Sequence, residues 1–143
     1  MKILACTDGS EHSRKVLQQA ALIAKCTNGG VTVINVEDFI PHLANNWPYH
    51  SEEYVKEIEE KNKENAARVI ADAEKFFEEQ NIQIKTLIKK GHPSETITKV
   101  ASEGRFDMVV IGSRGLGGLK KLLLGSVSNA VAQGIETNVL IVK

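Results

Sequence analysis

The stretch GSRGLGGLKKLLLGS, Gly112–Ser126, holds five glycines: Gly112, Gly115, Gly117, Gly118 and Gly125. Each glycine adds to the entropy lost when the chain is ordered, so this density asks what comes so close that side chains must be absent. The segment directly before it, DMVVIG (Asp107–Gly112), is an apolar run with no polar alternation. Such a run suits a strand buried on both faces. After it, Val127, Ala130 and Val131 recur at helical spacing from Ser126 onward. A buried strand, a glycine-rich turn and a helix form one unit of a parallel α/β sheet.

Working outward, the same unit recurs. KILACT (Lys2–Thr7) is a second buried strand. DGS turns the chain, with Asp8 or Ser10 able to cap the following helix. That helix carries Val16, Leu17, Ala20, Ala21, Ile23 and Ala24 on one stripe and stops at NGG, Asn28–Gly30. VTVINVE (Val31–Glu37) is a β-branched strand. Asp38–His50, with two prolines and the one tryptophan, Trp47, reads as a long loop. Ser51–Gln80 is helical, with Val55, Ile58, Ala66, Val69, Ile70, Ala73 and Phe77 on the apolar face. IQIKTLIK (Ile82–Lys89) alternates apolar and polar residues, as a strand at a sheet edge does. Pro93 opens a further helix and Gly104 ends it. NVLIVK (Asn138–Lys143) closes the chain as a strand. The alternation predicts one α/β domain over residues 1–143, a doubly wound parallel sheet with right-handed crossovers and helices on both faces. Ligands of such sheets bind beyond the carboxyl ends of the strands where strand order reverses. With the first and fourth strands central, TDGS and the glycine segment meet there.

Composition narrows the function. The chain has 143 residues, 42% hydrophobic and 25% charged, and 18 basic residues balance 18 acidic ones. That balance gives no basic excess for nucleic acid or an anionic membrane. No apolar run reaches a membrane-spanning length, and the apolar stretch of MKILACTDGS is too short for a signal-peptide core, so a cytoplasmic location is expected. Cys6 and Cys26 form no metal spacing and read as reduced thiols. His12, His42, His50 and His92 are scattered, with neither metal spacing nor triad logic.

Two phosphate signatures fail on the glycine segment. No glycine is followed by Lys and then Ser or Thr, which excludes the P-loop, and Lys120 stands where the dinucleotide fingerprint needs its third glycine. The remaining pattern still suits an anion. Gly112 and Gly115 can aim backbone N–H groups into one concavity. Gly125 and Ser126 sit at a helix start with unpaired donors. Ser126 and Ser128 offer hydroxyls, and Arg114, Lys120 and Lys121 add positive charge. LKKLLL reads as a helical turn burying Leu119, Leu122 and Leu123. On composition alone a phosphate cradle and a plain glycine loop with a capped helix both remain open. So do two roles for Asp8, as a helix cap or beside a ribose.

The spacing G-x2-G-x9-G-S, filled by Gly112, Gly115, Gly125 and Ser126, resembles the nucleotide-binding signature of the universal stress protein family. ACTDGSEHSRKVL, GHPSETI and FDMVVIGSRGLGGLKKLLLGSVSNAV resemble its opening unit, its third-helix segment and its most recognisable block. The resemblance covers essentially the whole chain. It implies a five-stranded sheet in order 3-2-1-4-5 and the ATP-binding branch of the family. It further implies that Asp8 contacts ribose or, through Mg2+ or Mn2+, the phosphates, with Thr7 and Gly9 in the same turn. Val36 would hold adenine through its backbone, Met108 to Ile111 would floor the pocket, and Gly112, Arg114, Gly115, Gly125, Ser126, Val127 and Ser128 would surround ribose and phosphates. Val139, Leu140, Ile141 and Val142 would pair with a second copy as a homodimer, although IETNVLIV lacks the Pro-x-Pro that often precedes this strand in the family. The implied function is an ATP-dependent stress-response switch with at most slow hydrolysis. The alternative is an ATP-hydrolysing or adenylating enzyme of a related α/β class. An FMN carrier is disfavoured by the shortage of aromatic residues near these loops.

Overall fold

The computed structural model describes residues 1–38, 52–115 and 124–143. Its elements run β1 (Lys2–Cys6), α1 (Glu11–Thr27), β2 (Gly30–Asp38), α2 (Glu52–Glu79), β3 (Ile84–Gly91), α3 (Pro93–Glu103), β4 (Met108–Gly112), α4 (Ser126–Gly134) and β5 (Asn138–Val142). The five strands form one parallel sheet in the order β3-β2-β1-β4-β5. The long loop expected after β2 and the leucine turn expected at Leu119–Leu123 lie outside the described residues.

The apolar stripes divide between the two faces. Val16, Leu17, Ala20 and Ala24 of α1 and Ile70, Ala73 and Phe77 of α2 bury one face with Ile3, Ala5, Val31, Val33 and Val110. Ile97 and Ala101 of α3 and Val131 of α4 bury the other with Leu4, Ile34, Val109 and Ile111. β1 and β4 carry apolar residues on both faces because helices cover both.

The helix ends explain where the sequence reading of boundaries shifts. Ser10 caps α1, its side chain accepting from Ser13 N–H at 3.2 Å. At the other end Asn28 turns left-handed at φ 49°. β3 begins at Ile84 rather than Ile82. Asn81 adopts φ 56° and Ile82 N–H reaches back to Phe77 C=O at 3.0 Å, so Ile82 completes the stop of α2 before the strand starts. α3 ends in a like manner, with Arg105 rather than Gly104 in the left-handed region at φ 49°. Phe106 N–H bonds Ala101 C=O at 3.1 Å, and the bare Gly104 leaves room for the Phe106 ring.

Candidate functional site

β1 and β4 are adjacent, and their connections leave to opposite faces, to α1 and α4. Their carboxyl ends therefore open a crevice. A cavity of 410 Å3 lies there, within the range of small-ligand sites. Thr7, Asp8, Val36, Gly112, Arg114, Gly115, Gly125, Ser126, Val127 and Ser128 all line it. Four of the expected residues, Met108, Val109, Val110 and Gly9, are placed elsewhere, Val109 and Val110 in the buried core. Met108 opens β4, four residues before its carboxyl end, and packs in the core among the residues under α1 and α2. That is roughly 13 Å of strand from Gly112; Ile111 is the floor residue of this strand. Gly9 is also absent from the lining. It shapes the turn instead, at φ 80°, where an added β-carbon would sit 2.8 Å from Val69 Cγ2 of α2.

The close approaches at the three signature glycines come from the protein itself. A β-carbon on Gly112 would meet Arg114 O at 2.9 Å and His12 Cβ at 3.3 Å. One on Gly115 would meet Asp8 Oδ2 at 2.5 Å, and one on Gly125 would meet Ser113 O at 3.3 Å. The glycines let the β1 turn, the end of β4 and the start of α4 converge. Asp8 does not cap α1, since Ser10 does. Its Oδ1 accepts from Ser10 N–H at 3.0 Å, and the turn holds its carboxylate beside Gly115.

Gly125 is the N-cap of α4 and makes no side-chain cap bond. Its N–H donates to Ser113 O at 2.6 Å. Ser128, buried to 2% exposure, donates its hydroxyl toward Gly125 O at 3.0 Å and Ser113 O at 3.3 Å. Ser128 therefore fastens the helix start to the end of β4. Ser113 N–H bonds Val142 O at 2.7 Å, which extends the fastening to β5.

The opposite end of the cavity is apolar. Ile34 and Val36 of β2 and Pro93 and Ile97 of α3 line it, together with Asp38 at the end of β2. Pro93 and Ile97 read in the sequence as a helix start and a packing face, and Asp38 as the first residue of a loop. The helical and strand patterns mark them as core or rim; only the fold brings them to one wall. The charged lining among the described residues is two carboxylates, Asp8 and Asp38, and one guanidinium, Arg114. Among the described residues no group of three or more His, Cys, Asp or Glu gathers to hold a metal. No helix there is long and apolar enough to cross a membrane.

A parallel sheet in the order 3-2-1-4-5 with a cavity at its switch-point crevice defines an α/β protein of the doubly wound class. The universal stress protein family matches residues 1–143, and the chain belongs to that family. It is 31% identical over 145 residues to universal stress protein YxiE of Bacillus subtilis, covering 99% of this chain and 98% of that one. Among solved structures it resembles MJ0577, with a TM-score of 0.86 and 30% identity over 99% of this chain and 94% of that one. It also resembles a universal stress protein solved in complex with cAMP, with a TM-score of 0.73, 25% identity, and 100% and 97% coverage.

Proposed function

We propose that the chain binds an adenine nucleotide in this cavity, ATP with a divalent cation foremost, and acts as a nucleotide-dependent regulatory protein. The observation that carries the reading is the convergence of Asp8, Gly115 and the Gly125–Ser126 helix start on one end of a cavity whose other end is apolar. The complex of a related protein with cAMP supports it.

The chemistry divides along the cavity. β1 pairs with β2 only as far as Cys6–Ile34, while β3 accompanies β2 to Asp38. Val36 is thus the next residue of β2 to turn its N–H and C=O toward the β1 side, past the end of that strand. One donor beside one acceptor matches adenine, whose N1 accepts and whose 6-amino group donates. Guanine presents the reverse pair on that edge. The first N–H groups of α4 and the positive end of its dipole suit phosphate oxygens.

Arg114 is one positive charge against two carboxylates in the described lining, so a triphosphate needs further neutralisation. The Asp8 carboxylate is a hard oxygen donor of the kind that holds Mg2+ or Mn2+. A cation there would screen the phosphates and join them to Asp8. A crystal grown with ATP and Mg2+ tests the reading. Base density against Val36 with phosphates at Gly115 and Ser126 is expected, and an empty cavity at saturating nucleotide would refute it.

The last strand carries a second part of the proposal, a homodimer. β5 is an edge strand whose Val139, Leu140, Ile141 and Val142 are all half-buried. The other edge, β3, carries Lys85, Lys89 and Lys90, a charge pattern that discourages strand addition. β5 has no charged residue in its span.

A further inference from the structure

We infer that Asn35 is a positioning residue for base recognition: its buried amide closes the β1–β2 ladder one step early and so leaves the Val36 peptide facing the ligand. The inference rests on the adenine reading of Val36 given above, and it concerns a residue that does not itself line the cavity.

The geometry is local. The ladder between β1 and β2 runs in register from Lys2–Gly30 to Cys6–Ile34. One further rung is half made, since Thr7 N–H donates to Ile34 O at 2.9 Å. In a continuing parallel ladder Thr7 C=O would next accept from Val36 N–H. Here that carbonyl accepts from Asn35 Nδ2 at 2.8 Å instead. Asn35 is 6% exposed, in a stretch where its neighbours Val33 and Ile34 are apolar and buried. An amide in such a place must find partners, because a buried polar group left unpaired loses its hydration without compensation. Its partner is the one carbonyl that would otherwise draw in Val36.

The consequence reaches the ligand through two contacts. Asn35 satisfies Thr7 O from the side of the sheet that α2 covers, which lets the chain leave β1 and turn at Asp8. Gly9, at φ 80°, completes that turn against Val69. Val36 keeps its N–H and C=O on the β1 side, where β1 no longer runs, and Val36 and Thr7 both line the cavity there. The Asn35 side chain thereby separates two states of one strand edge: zipped onto Thr7, or presented to a planar base. A plain structural amide would fix the turn without affecting which base is preferred. The ladder-closing role predicts a base-specific effect.

Two measurements test this. In hydrogen exchange of the ligand-free wild type, the Val36 amide is expected to exchange much faster than that of Ile34, inside the ladder, and to slow on addition of adenosine. Titrations of Asn35→Leu with adenosine and with tripolyphosphate separate base from phosphate binding. Adenosine affinity is expected to fall about tenfold, the scale of one hydrogen bond, while tripolyphosphate affinity is unchanged. The preference for ATP over GTP should shrink in the same variant, and Asn35→Gln, which retains a donor amide, should restore part of it. A Val36 amide as protected as that of Ile34 in the free wild type would overturn the inference. So would an equal loss for adenosine and tripolyphosphate in Asn35→Leu. If Asn35→Leu does not fold, the wild-type exchange result decides. If the wild type binds no adenine compound, the nucleotide reading falls, and the exchange rates of Val36 and Ile34 still judge what Asn35 does.

Discussion

Two of the signature glycines fail differently when given a side chain, and the difference separates folding from binding. At Gly112 the obstacle is the Arg114 carbonyl, 2.9 Å from an added β-carbon, with His12 of α1 behind it. Backbone cannot swing aside, so Gly112→Ala should lower stability by about 1–3 kcal/mol, measured by urea denaturation. At Gly115 the obstacle is the Asp8 carboxylate, which can rotate away from its place beside the cradle. Gly115→Val, at an exposed position, should change stability by no more than about 0.5 kcal/mol, yet abolish binding of a fluorescent ATP analogue. Normal binding by Gly115→Val would remove Asp8 and Gly115 from the site. The cysteines give a third test at this scale. Burial pushes the Cys6 thiol up to about 12, whereas Cys26 is exposed. A thiol reagent at neutral pH should therefore titrate one cysteine in the native protein and two after unfolding. The neutral Cys6 thiol favours the folded state, so its contribution is intact below its ordinary value of 9.0 and is lost as pH rises from there toward 12.

Individual elements were legible in the sequence where one pattern governed them. The helical stripe of α1, the unbroken apolar run of β4 and Pro93 at the start of α3 all stand where the residues place them. Ends set by hydrogen bonds rather than by periodicity were less legible. Ile82 looks like strand because it alternates with Ile84, yet its N–H finishes α2. Gly104 ends α3 as the sequence suggests, but the left-handed turn that follows falls on Arg105, and the bare Gly104 makes room for Phe106. Ser128 looks like a ligand donor, and its contact with Ser113 O, fifteen residues away, is one that only the fold reveals. Asp8 and Ser10 were equivalent candidates for the cap of α1, and the structure chooses Ser10. Ser10→Ala should accordingly destabilise the protein by about 1 kcal/mol, and Asp8→Asn by clearly less, in thermal or chemical denaturation. A larger loss from Asp8→Asn would make Asp8 chiefly a structural residue.

At the level of the whole molecule, sheet order decides both the crevice and the free edge. Sequence patterning established the strands and the faces that helices cover. The order 3-2-1-4-5 came from the resemblance to a known family, because periodicity does not say which strands are neighbours. That order leaves β5 at an edge, with Val142 C=O turned inward to Ser113. By the strand's period of two, Val139 and Ile141 then turn their N–H groups outward. Ile141→Pro removes one outward donor without touching the β4 ladder. It should yield a folded monomer in sedimentation at micromolar concentration, where the proposed pairing predicts a wild-type dimer. A wild type that is itself monomeric would remove the proposed pairing. The same order brings Val36, Asp8, Gly115 and Ser126 to one cavity, and the account stands on what that cavity holds. Calorimetric titration of the wild type with ATP and Mg2+, set beside GTP and Mg2+, tests it most directly. The account predicts one site per chain for ATP with a dissociation constant on the order of micromolar and markedly weaker binding of GTP. No heat from ATP, or equal affinity for the two nucleotides, would contradict it.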